Sequence, residues 1–145
     1  MSQAVERIIH NNELLALIIR SDLATQGIEF YTPNEFSQQI ASMGHAKGKK
    51  ISPHMHNKVP REVTYTNEVL IIKQGKLRVD FYDNSLIYLE SRILSKGDII
   101  LLAKGGHGFE VIEDVQMVEV KQGPYAGEVD RTQFLAVSSD KLIIK

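Results

Sequence analysis

Two imidazoles stand one residue apart in His54-Met55-His56. On an extended chain, positions i and i+2 share a face, so the two ring nitrogens come close enough to chelate one ion. The plainer alternative is a pair of surface or hydrogen-bonded histidines, and what lies around the pair bears on the choice. Gly48 lies six positions before His54, Glu68 opens an apolar run that reaches a turn at Gly75, and a further histidine sits in Gly105-Gly106-His107-Gly108-Phe109. Between the His-x-His pair and Glu68 runs a segment, Asn57 to Asn67, that carries Lys58, Arg61, Glu62 and Tyr65. Arg61 can clamp a carboxylate or phosphate with two parallel hydrogen bonds, and Glu62 or Tyr65 can move a proton. The same segment also reads as a surface loop whose charges are simply solvated.

Side chains of this kind need a scaffold that brings them together, and the rest of the chain reads as β-structure. From residue 28 onward the apolar residues fall in short stretches broken by Gly, Pro, Asn and Asp, the pattern of an all-β sandwich or barrel. Lys76 to Tyr82 alternates cleanly, with Leu77, Val79 and Phe81 on one face and Arg78, Asp80 and Tyr82 on the other. Turns at Gln74-Gly75-Lys76, Asp83-Asn84 and Lys96-Gly97-Asp98 separate this strand from Glu68 to Lys73, Ser85 to Leu94 and Ile99 to Leu102. Further strands are expected over 28–32, 39–45, 50–55, 108–111 and 116–121, with 135–137 and 142–144 as two more. At the N-terminus, Val5, Ile8 and Ile9 suit a short helical turn, and Leu14 to Ile19 suits a buried strand or a helix. Phe109, beside His107, is expected to pack in the core. Lys47, Lys49 and Lys50 mark a solvated edge or turn, and His10 and His45 read as surface residues, with His45 the nearer to the His-x-His segment.

The spacing of these residues resembles the cupin family, small double-stranded β-helix proteins with two metal-ligand motifs. Gly48, His54, His56, Glu68 and Gly75 match the first motif, and Gly97, Gly105 and His107 match most of the second, over about residues 39–125. The resemblance implies an all-β, jelly-roll-like barrel, a single domain over 1–145, and one metal held by His54, His56, Glu68 and His107. Three imidazoles and a carboxylate suit a divalent transition metal, with Fe, Mn, Ni, Zn and Cu all admissible. Such an ion acts as a Lewis acid, acidifies bound water or, if redox-active, binds dioxygen. Eleven residues separate His56 from Glu68, where the family usually has about three or four. Glu62 is therefore the rival carboxylate; Glu68 is preferred for its spacing to Gly75 and because Leu70 and Ile72 would share its inner face. Ala103 stands in place of a proline, the interval from Gly105 to His107 is one residue short, and Val111 replaces an asparagine.

Composition narrows the function. The chain has 145 residues, 43% hydrophobic, and no cysteine, which excludes disulfides, thiolate metal sites and cysteine nucleophiles. Seventeen basic and eighteen acidic residues leave a net charge of −1, so there is no general electrostatic footprint for nucleic acid. No apolar run approaches the ~18 residues of a membrane span, and no signal-peptide pattern opens the chain, so a cytoplasmic protein is expected. Three functions are open. The first is a metal-dependent enzyme on a small polar substrate, an isomerase, epimerase, hydrolase or dioxygenase of the carbohydrate or nucleotide-sugar kind. The second is a non-catalytic module for a small ligand or metal, and the third is a metal-free sugar-nucleotide isomerase that uses histidine and tyrosine for proton transfer. The resemblance also implies a homodimer, since exposed edge strands invite pairing.

Overall fold

The computed structural model describes residues 3–145, and these form two compact units, one of residues up to 23 together with 65–145 and one of residues 24–64. The larger unit is a curled antiparallel sheet of β1 (Val5–His10), β2 (Glu13–Ile19), β5 (Glu68–Tyr82), β6 (Tyr88–Ser95), β7 (Ile99–Leu102) and β8 (Gly106–Lys121). The smaller holds a two-stranded sheet of β3 (Gly27–Phe30) and β4 (Ala41–Gly44). Two short 3-10 turns, Gly127–Val129 and Ser139–Lys141, are the only helical elements among the described residues.

The expected helical turn at Val5 to Ile9 is a strand. Asn11 and Asn12 both adopt positive φ, 49° and 63°, the conformation of a tight hairpin turn, and β1 folds back antiparallel on β2. Along β1, Ile8 is buried while Ile9 is exposed, the alternation of a strand. Leu14 to Ile19 lies in the interior strand β2, paired with β1 on one edge and β7 on the other.

The expected break at Gln74-Gly75-Lys76 is not a turn but an irregularity within one long strand. β5 runs straight through Gly75 and pairs along its length with β8, which merges the two strands expected at 108–111 and 116–121. Register shifts cluster between Ile72 and Leu77, and Gly75, at φ 84°, faces the Asp114 backbone so closely that a Cβ would run into its carbonyl. These bulges bend the ladder. On its other edge β5 first pairs with β7 (Glu68–Ile71 against Leu102–Ile99) and then with β6 (Lys76–Tyr82 against Ser95–Tyr88), the two joined by the turn at Gly97.

Chain connectivity forces the curl. Leu102 lies beside Glu68 at one end of β5, and Gly106 lies beside Tyr82 at the other, yet only Ala103-Lys104-Gly105 joins them. Four peptide steps span at most about 14 Å, whereas fourteen steps of straight strand would span roughly 46 Å. The two ends of the β5–β8 ladder must therefore bend toward each other. On the concave face Leu70, Ile72, Leu77, Val79 and Phe81 pack with Ile8, Leu15, Ala16, Ile18, Leu94, Ile100 and Leu102 as one apolar core.

Three further expectations are corrected. Residues 50–55 form no strand and are exposed, because Pro53 removes a ladder donor immediately before His54. Residues 135–137 and 142–144 form no strand beyond a single bridge between Ser91 and Ile144. Phe109 is 42% exposed and does not join the core, although its cross-strand partner Val79 does.

Candidate functional site at the closure of the curled sheet

Asn67 is buried and donates its backbone N–H to Gln122 Oε1 at 2.5 Å, which fixes the chain as it enters β5. Glu68 follows, on the same face as Leu70 and Ile72, both of which are buried in the core. Its direct cross-strand partner is Lys121, and the Lys121 Nζ lies 2.9 Å from Glu68 Oε1. His107 comes from the far end of the ladder, opposite Phe81, and its Nε2 nevertheless lies 3.3 Å from Glu68 Oε2. Residues thirteen positions apart along the ladder thus meet through their side chains, and this is the direct expression of the curl.

Each oxygen of Glu68 faces a nitrogen donor. The hydrogen bond from His107 and the ammonium of Lys121 together outweigh burial and pull the carboxyl down to about 2. Glu68 in turn raises Lys121, assisted by Glu119 at 3.1 Å. With Nε2 directed at the carboxylate, Nδ1 of His107 is left to accept a proton or a ligand. Two aromatic rings border the cluster: Phe109 is tilted against His107 at 5.3 Å between ring centres, and the Tyr125 ring lies 5.6 Å from Lys121 Nζ. Glu68, His107 and Lys121 are all half-buried, so the cluster is reachable and partly desolvated at once.

The other expected site residues are placed as follows. His54 and His56 lie in the smaller unit, with ring centres 5.4 Å apart at an interplanar angle of 80° and with His54 Nδ1 2.8 Å from Ser52 O. Arg61 and Glu62 are exposed in the same unit. Tyr65 belongs to the larger unit, where Lys104 Nζ sits 5.7 Å from its ring centre and also reaches Glu13 at 3.2 Å. His45 is exposed, and His10 Nε2 lies 3.7 Å from Asp83 Oδ2.

The four expected metal ligands therefore form two pairs, Glu68 with His107 and His54 with His56. Among the described residues no group of three or more His, Cys, Asp or Glu side chains is gathered to hold an ion. Within the larger unit, moreover, the carboxylate is already occupied by an ammonium. The geometry on hand suits acid–base chemistry.

Motif spacing points to Glu68 and His107, whereas the strand register at Lys121 and Gln122 is ambiguous from sequence and nothing local marks Tyr125. Lys121 becomes the partner of Glu68 only in the register that the folded ladder sets, with its shifts between Ile72 and Leu77. A hollow of about 590 Å³ lies away from this cluster and has no counterpart in the sequence reading; Gln3, Glu6, Arg20, Arg92, Asp98 and Lys145 are among the residues lining it. Glu6 bridges Arg20 at 2.7 Å and Arg92 at 2.8 Å. Burial pushes the Glu6 carboxyl up, but the two guanidiniums prevail and hold it below its usual range. Those partners lie 14 and 86 positions apart, so no local signal marks them.

Comparison of the chain with protein-family models, with curated proteins and with solved structures gives no match.

Proposed function

We propose that this chain is an enzyme of the cupin kind that moves a proton on a small polar substrate, with His107 as the acid–base group. The observation that carries the reading is the Glu68 carboxylate held between His107 Nε2 and Lys121 Nζ on the concave face of the sheet. A carboxylate bonded to one imidazole nitrogen fixes the tautomer and aims the other nitrogen outward, which is how a general base is prepared. Lys121 balances the charge of Glu68 and, with Glu119 also on its ammonium, offers its one remaining donor to an oxyanion. Phe109 and Tyr125 supply flat apolar surface of the kind that borders a sugar or other small ring. In this reading the curled sheet is one half of a double-stranded β-helix, and the substrate is a carbohydrate or nucleotide-sugar-related compound.

The test is solvent exchange. The protein is incubated with nucleotide sugars and small hydroxy acids in D2O under a strong chelator, and deuterium entering carbon positions is followed by NMR. Exchange that falls by roughly 10²–10⁴ in His107→Gln, as expected for loss of a general base, supports the proposal. Ligand-dependent thermal stabilisation with no exchange would replace it with the non-catalytic binding module.

A further inference from the structure

Strand parity places a second group of polar side chains on the inner face of the larger unit. Glu6 lies two residues before the core residue Ile8 on β1, and Arg92 lies two before Leu94 on β6, directly opposite the buried Val79. Arg20 follows Ile18 by two positions and Asp98 precedes Ile100 by two, each one residue beyond its strand. These four side chains are only 7–19% exposed. They gather at the end of β7 next to Asp98, whereas Glu68 pairs with Leu102 at the other end, so the apolar core separates the two groups.

The ion pairs of this group tie β1 to β6, two strands that share no ladder. Its inward acceptors are fully engaged. Glu6 Oε1 accepts from Arg20 Nε at 2.7 Å, and Oε2 accepts from Arg92 Nε at 2.8 Å. Asp98 Oδ1 accepts from the Ser21 backbone N–H at 2.9 Å, while Oδ2 accepts from the Ser95 backbone N–H at 2.9 Å and from Arg20 Nη1 at 3.1 Å.

The donors, by contrast, exceed their partners, because a guanidinium carries five N–H groups. Arg20 directs Nε to Glu6 and Nη1 to Ile93 O at 2.8 Å and to Asp98, so its Nη2 has no partner among the described residues. Arg92 directs Nε to Glu6, one N–H of Nη1 to Ser91 O at 3.1 Å and one of Nη2 to Glu90 at 3.3 Å, which leaves one N–H on each. Partly buried guanidinium donors without acceptors are costly, and planar pairs of them match a carboxylate.

The hollow of about 590 Å³ opens on this group and is within the range of small-molecule pockets. Its charged lining is Arg20, Arg92 and Lys145 against Glu6, Asp22 and Asp98, three of each sign. A ligand without net charge preserves that balance, whereas a dianion upsets it. Asp22 is exposed, and its carboxylate makes no hydrogen bond or ion pair among the described residues. The hollow thus offers spare N–H donors on its inner wall and one spare carboxylate.

We propose that this hollow binds a small zwitterion of the amino-acid kind, its carboxylate on the free N–H groups of Arg20 and Arg92 and its ammonium on Asp22. The site is separate from the Glu68 cluster and does not rest on the chemistry proposed there.

The test titrates the ¹⁵N-labelled full chain with the common L-amino acids, their deaminated acids, glucose and inorganic phosphate, following the backbone amides of Ser21, Asp22 and Ser95 by NMR. The expected result is a saturable shift of these amides with at least one amino acid. The matching deaminated acid should bind about tenfold more weakly, the worth of one charge-assisted hydrogen bond. Asp22→Asn, at an exposed position with no partner to lose, should abolish that preference. Arg92→Lys keeps the charge beside Glu6 but removes the planar fork, and should weaken the amino acid and its deaminated acid alike. Equal affinity for the two, tighter binding of phosphate or glucose, unchanged binding in either variant, or no saturable shift with any compound would each overturn the proposal.

Discussion

At Glu68 a single carboxylate ties the two ends of a bent ladder, and its titration reports on that tie. Its carboxyl is held at about 2, against an ordinary 4.5. A folded-state value below the unfolded one means that the stabilisation is fully present above about 4.5 and is lost as pH falls toward 2. Since Glu68 is partly exposed, on the order of 2 kcal/mol is expected at neutral pH. Urea unfolding of the wild type and of Glu68→Gln should differ by about that amount at pH 7, and the two should converge near pH 2. A constant difference across the range would show that Glu68 acts by packing and not by charge. The sequence disclosed Glu68 and His107 because strand parity and motif spacing are local. It did not disclose that Lys121 shares the carboxylate, or that Tyr125 lies over Lys121, since those contacts depend on register and on the turn after β8. His54 and His56 were legible as a close pair, but the strand expected to carry them is broken by Pro53.

At the scale of the element, the β5–β8 ladder owes its bend to bulges centred on Gly75. Gly75→Ala meets both a positive φ and the Asp114 backbone, whereas Gly48, at φ 89°, has open space around its Cβ position. Strain alone should make Gly48→Ala cost about 1 kcal/mol, and Gly75→Ala should cost clearly more, which thermal or urea unfolding will rank. Equal costs would mean that the ladder can shift at Asp114 without loss. Further along β5, Phe81 is wholly buried in the core directly across from His107, so Phe81→Ala should cost roughly 3–5 kcal/mol. The period-two pattern of Lys76 to Tyr82 made this inner face legible from sequence alone. Gly75 was misleading, because a glycine between two apolar runs signals a hairpin turn and a bulge equally well, and only the long-range partner decides between them.

For the molecule as a whole, every residue of the apolar core comes from the larger unit, so that unit should fold without residues 24–64. A chain in which about ten Gly and Ser residues join Leu23 to Tyr65 should keep its β-sheet far-UV signal and unfold in one cooperative step, since loop length enters closure entropy only logarithmically. Loss of cooperativity would show that the smaller unit supplies part of the stability. The all-β class was legible from the density of short apolar runs and turn residues, whereas the division into two units was not, because it depends on the long-range pairing of β2 with β7 and of β7 with β5 around residues 24–64. Gln3 and Lys145 border the same hollow, where Lys145 also pairs with Glu90. A short tether can therefore join the described start of the chain to its end, and the backbone can be reopened in the exposed run from Asn57 to Val63. Such a circular permutant would carry the His54-Met55-His56 segment at one free end and Glu68 near the other, with the order of the sheet strands in space unchanged.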